Sequence, residues 1–74
     1  MKVYPNPVKD ILKIVSGDEI TTVMLYDIYG RLIEAVAANC QSLEMDVEFL
    51  AEGIYFVRIE TAGKVVTRKI IKGL

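Results

Sequence analysis

Apolar side chains recur at every second position through most of this chain. Over residues 10–16, Leu12 and Ile14 flank Lys13; over residues 21–27, Val23 and Leu25 share one face while Met24 and Tyr26 share the other. Successive strand side chains point to opposite faces, so a period of two predicts strands. Tyr29 and Gly30 mark a tight turn, because glycine reaches positive φ without a Cβ clash. Residues 31–37 return from it, with Leu32, Glu34 and Val36 on one face and Ile33 and Ala35 on the other, so the two segments read as one hairpin. After an expected loop at 38–41, Leu43, Met45 and Val47 should face in, and Glu44, Asp46 and Glu48 out. Residues 49–53 make a short connection, and Gly53 opens a strand with Tyr55, Val57 and Ile59 on one face. A turn at 61–64 leads to a last strand that sets Val66 and Ile70 against Val65 and Ile71.

Turn signals at intervals of roughly ten residues predict an all-β fold, a small antiparallel β-sandwich of six to seven short strands. Helix has little support, since β-branched residues are frequent and the apolar period is two. Several strands are apolar on both faces, with Ile54 and Phe56 opposite Tyr55 and Val57. A sheet in a two-layer sandwich has one solvated face, so some of these side chains should be exposed. They are either scattered, which needs no explanation, or a patch that touches a partner or a second copy.

Composition sets the scale. Seventy-four residues hold one small domain with a single core. With 53% apolar and 26% charged residues and a mean hydropathy of +0.36, the chain is too hydrophobic to stay disordered. No apolar run approaches the ~20 residues that span a bilayer, and the start lacks the pattern of a signal peptide. The chain is expected to be soluble, with no export address at its front. A net charge of −1 gives no reason to expect nucleic acid as a partner. The distribution is more informative: residues 34–60 hold six acidic side chains and one basic, Arg58, whereas residues 61–74 hold Lys64, Arg68, Lys69 and Lys72 and no acid. The C-terminal end is therefore a cationic patch on an acidic body.

Candidate chemistry is sparse. Without histidine, the commonest general base and the commonest zinc ligand are both missing, and no Ser/His or Cys/His arrangement can be built. Cys40 is the single cysteine, which excludes an internal disulfide; it is read as an inert thiol in a turn. Glu44, Asp46 and Glu48 share a face and could hold calcium, but no glycine-bent loop gathers them, and charges on an outer face also discourage edge aggregation. They are read as a solvated face. The chain is expected to be no enzyme and to use no metal or cofactor. At the front, Pro5 and Pro7 lack amide donors and restrict Tyr4 and Asn6 to extended conformations, as suits an edge segment or the rigid lead-in from a preceding linker.

Four blocks stand in order: "VYPNPVKDILKI", "LYDIYGRLI", "LAEGIYFVRI" and "KVVTRKIIKGL". Together they resemble the C-terminal sorting domain of cargo proteins of the type IX (Por) secretion system, type A, over almost the whole chain. The resemblance implies an immunoglobulin-like sandwich, excised from the end of a larger secreted protein, so that residues 1–74 are one domain and Met1 an introduced start. It places Pro5, Asn6 and Pro7 on the family's proline-asparagine-proline element, and Asp27, Gly30 and Arg31 on its central turn. Gly53 and Tyr55 fall on its GxY element, and Lys69 and Lys72 on its basic terminal strand.

By that resemblance the domain is a non-catalytic address. It would direct a fused N-terminal cargo from the periplasm through the outer-membrane translocon to the cell surface or beyond. A sortase-like peptidase would then usually remove the domain, and the cargo would be released or joined to surface lipopolysaccharide. Lys64, Arg68, Lys69 and Lys72 are the expected receptor-contact strand, which would offer an edge for strand addition. The alternative is an adhesive or carbohydrate-binding module, weakened by the absence of Trp and the dispersal of four Tyr and two Phe. A free thiol and the marginal stability of a small sandwich are both compatible with self-pairing by edge or face.

Overall fold

The alternation at Leu12 and Ile14 and that at Val23 and Leu25 belong to a single strand. In the computed structural model, which describes residues 1–74, the chain forms β1 (Lys2–Tyr4), β2 (Ile11–Tyr26), β3 (Leu32–Asp46), β4 (Gly53–Thr61) and β5 (Val65–Lys72), with no helix. All strand pairs are antiparallel. β2 pairs along its length with β3; on its other side it pairs first with β1, through Lys13–Val15, and then with β4, through Ile20–Tyr26. β5 pairs with β4.

Sixteen residues of straight strand would run about 53 Å at ~3.3 Å per residue, but the longest dimension of the molecule is 32 Å. β2 therefore bends, and its register against β3 shifts between Val15 and Ile20 and again between Ile20 and Thr22. Such irregularities sharpen twist and bend a strand. At the bend the Ser16 hydroxyl accepts the Asp18 N–H (3.1 Å) and the Gln41 amide donates to the Gly17 carbonyl (3.3 Å). The sheet folds over there, so the inner faces of its two halves share one core of 13 buried residues. Leu12, Ile14, Met45 and Val47 come from one half, Ile20, Val23, Leu25, Val57, Ile59 and Ile70 from the other, and Val8 from the segment between β1 and β2.

The all-β, antiparallel class is present, but with five strands in place of six to seven. The expected breaks at 17–20 and 38–41 are bends inside β2 and β3, because hairpin pairing continues on either side of them. Cys40 accordingly lies in a strand, half-buried opposite Ile20, and not in a turn. A second correction concerns residues 31–37. A register shift between Leu25 and Tyr26 puts Leu32 opposite Tyr26, on the outer face, and lets Ile33 pack against the core. The slip is local: Glu34 and Val36 keep the side of Leu25 and Val23, and only Leu32 leaves their set. The inward sets Leu12/Ile14, Val23/Leu25, Met45/Val47 and Tyr55/Val57/Ile59 are buried as the alternation requires.

On the outer face, Ile54 lies opposite Ile71, and Tyr26 lies between Leu32 and Phe56. The apolar residues on the second face are therefore neighbours and not scattered. Glu44, Asp46 and Glu48 are exposed, and Glu44 meets Lys13 at 3.9 Å.

Candidate functional site

The outer edge of β5 is where the sequence blocks converge. The chain does not leave β1 as a straight ribbon: both the Tyr4–Pro5 and Asn6–Pro7 peptide bonds are cis, and the segment bends at Asn6 and Pro7. The bend sets the Asn6 side chain against β5. There the Asn6 amide acts as a piece of backbone. Its Nδ2 donates to the Lys69 carbonyl (3.2 Å), and its Oδ1 accepts the Ile71 N–H (2.9 Å). Val8 continues the pairing, donating to the Ile71 carbonyl and accepting the Gly73 N–H, each at 2.8 Å. Residues 6–8 thus form a strap along the end of β5, with the Val8 side chain wholly buried beneath it. Val8 was not singled out from the sequence, although an apolar residue straight after the second proline is a signal that could have marked it.

On the inner edge, Gly53 lies opposite Lys72 and Tyr55 opposite Ile70. Gly53 has φ +150°, in a region that side-chain-bearing residues avoid, so glycine is required where the 47–52 connection enters β4. The Tyr55 ring is buried and its hydroxyl donates to the Ala51 carbonyl (2.7 Å), holding that connection down. Three of the four blocks, including Pro5, Asn6 and Pro7 at one edge and Gly53 and Tyr55 at the other, therefore meet on β5.

The central block stands apart, as the turn from β2 to β3. Gly30 takes φ +79°, and Asp27 accepts from the N–H groups of Tyr29 (2.8 Å) and Arg31 (3.0 Å) and from the Arg31 guanidinium (2.7 Å). Burial alone would push the Asp27 carboxyl up. The bonds from the Arg31 backbone, the Arg31 side chain and the Tyr29 backbone, with the guanidinium charge, outweigh it and hold the carboxyl below its ordinary value.

The basic residues divide into two kinds. Lys64, in the turn before β5, and Arg68 and Lys69 on β5 are exposed and form no ion pair. Lys72 is only 8% exposed and its Nζ donates to the Gly73 carbonyl (3.1 Å). Its aliphatic stem packs inward while the ammonium reaches the edge, as long cationic side chains often do. The cations available to a partner are thus Lys64, Arg68 and Lys69, with Arg68 opposite Val57 and Lys69 opposite Phe56 on alternate faces of the β5 edge.

The backbone of β5 is likewise half available. Ile71 turns both its N–H and its C=O toward the strap, so by the antiparallel alternation Lys69, Thr67 and Val65 face the same side. Beyond Lys69 the strap ends, and no strand pairs with β5 there.

The family model for the secretion system C-terminal sorting domain matches residues 2–73. A search of curated proteins found no match. A domain of this family is a signal for type IX secretion: it works attached to a cargo, with the type IX machinery, and leads to export across the outer membrane toward the cell surface or the extracellular space. With the match covering nearly the whole chain, this protein belongs to the family of type IX secretion C-terminal sorting domains.

Proposed function

We propose that this chain carries a fused cargo through the outer-membrane translocon, and that the exposed basic part of β5 is what the translocon reads. The observation that supports this reading most is the convergence of the Pro5–Asn6–Pro7 strap and the Gly53 and Tyr55 positions on the two edges of β5, which fixes that strand in one presentation. A rigid strand with free donors and acceptors at Val65 and Thr67 suits strand addition, while Lys64, Arg68 and Lys69 select an acidic receptor. Removal of the domain by a sortase-like peptidase and surface attachment of the cargo follow as later steps on this reading.

The test is a reporter carrying a periplasmic signal at its front and this chain at its end, expressed in a host with a type IX translocon and in the same host lacking it. The reporter should reach the medium or the cell surface only in the first. Deleting β5 would be a poor test of recognition, since it also removes Ile70 from the core and leaves Asn6 and Val8 without partners. Reversing the charge at exposed positions keeps the fold and asks only about reading.

A further inference from the structure

Two rigid walls hold apolar side chains out to solvent at the end of the molecule where β5 finishes. One is the 27–31 turn, stapled by the three Asp27 bonds described above and by two backbone bonds, Asp27 N–H to the Arg31 carbonyl (3.0 Å) and Gly30 N–H to the Asp27 carbonyl (3.1 Å). It displays Ile28 at 57% exposure and Tyr29 at 78%, with the Arg31 guanidinium 5.3 Å from the Tyr29 ring centre. The other is the 47–52 connection, held by Glu48 N–H to Asp46 Oδ1 (3.0 Å), Leu50 N–H to the Val47 carbonyl (3.0 Å) and the Tyr55 hydroxyl. It displays Phe49 at 62%. The groove between the walls is floored by Ile33, Ile54 and Tyr55.

Exposed aromatic and aliphatic groups on a prestiffened frame are what binding hot spots use, because little ordering remains to be done on contact. The surroundings define what would fit. Behind Phe49 lies a hollow lined by Glu34, Asp46 and Glu48, and Glu52 lines the groove itself. None of these four carboxylates is ion-paired; the only cation lining the groove, Arg31, is engaged by Asp27. An occupant that is apolar where it meets Ile28, Tyr29 and Phe49 and cationic where it meets the carboxylates is complementary on both counts.

The cargo is not that occupant. Lys2 lies opposite Val15, so chain preceding Met1 continues toward the bend at Ser16 and Gly17. The groove lies beyond the other end of β2, past the whole of Ile20–Tyr26, about 20 Å of strand. It adjoins the end of β5 instead, where Ile54 pairs with Ile71 and Gly53 with Lys72.

We infer that this groove is a second docking surface of the sorting signal, which takes a protein segment bearing an apolar side chain flanked by lysine or arginine. The inference rests on the sorting role. It is tested in the reporter fusion with two double variants, Tyr29→Ser/Phe49→Ser and Glu48→Lys/Glu52→Lys, all at exposed positions, with thermal unfolding of the free chain alongside. Each pair should lower export about tenfold or more while leaving the unfolding midpoint within a few degrees of wild type. Wild-type export by the Tyr29/Phe49 pair would overturn the groove and leave the sorting role standing. Export undiminished by the Glu48/Glu52 pair would overturn the cationic partner. Retention of the unmodified fusion in the periplasm would remove the sorting role and the groove's function together. Sedimentation that shows a dimer of the free chain dissolved by Tyr29→Ser/Phe49→Ser would assign the groove to a second copy and overturn the inference.

Discussion

Asn6 does the work of two backbone groups with one side chain. Its bonds to Lys69 and Ile71 close an edge that proline on either side could not close, since neither Pro5 nor Pro7 has an N–H to give. At a net ~0.5–1.5 kcal/mol for each of its two hydrogen bonds, Asn6→Ala should cost about 1–3 kcal/mol in chemical denaturation. Asn6→Asp keeps the acceptor for Ile71 but loses the donor to Lys69, and should fall between the two. Equal stability of all three chains would show that the strap contributes nothing. Asp27 offers a second residue-scale check. Its folded pKa is depressed, so its contribution is present above the unfolded carboxyl value near ~4 and is lost as pH falls through the lower folded value. Thermal midpoints should therefore decline more steeply below pH 4 in the wild type than in Asp27→Asn, and parallel curves would contradict the assignment.

At the scale of elements, the strap and the core make β5 inseparable from the fold. Ile70 is fully buried, and large-to-small changes at such sites cost about 2–5 kcal/mol. A domain of this size has a total stability of only about 4–11 kcal/mol, at ~0.05–0.15 kcal/mol per residue. Ile70→Ala should accordingly lower the unfolding midpoint sharply, and a midpoint unchanged within error would show that β5 packs less tightly than its burial implies. The alternation made the inward residues of β2, of the later half of β3 and of β4 legible, because a period of two is a local property of the chain. The joining of segments into β2 and β3 was not legible. Ser16, Gly17 and Asp18 are turn formers by type, and only pairing with the opposite arm, which is non-local, keeps the strand going through them. The basic strand and the proline element were each visible, but their contact spans more than 60 positions of sequence, and no local pattern announces it. Lys72 shows the same limit: its charge could be read, whereas its burial follows from a parity fixed by the pairing of Gly53 with it.

Across the whole molecule, a cargo fused at the front, as proposed above, and the groove beside the 27–31 turn would lie at opposite ends. Preceding chain approaches at the bend in β2, while the end of β5, the 27–31 turn and Phe49 lie at the opposite end, where a bulky neighbour would leave them clear. Lys64, in the turn that leads into β5, and Arg68 and Lys69 on it are exposed and paired with no acid of the chain. Surface substitutions at such positions usually change stability by no more than ~0.5 kcal/mol, so reading can be separated from folding. The most direct measurement is the exported share of the reporter fused ahead of this chain, compared between the wild type and Arg68→Glu/Lys69→Glu in a host with the translocon. The exposed strand as the read surface requires a loss of export of about tenfold or more with an unfolding midpoint close to wild type; export that survives the reversed charges undiminished would contradict it.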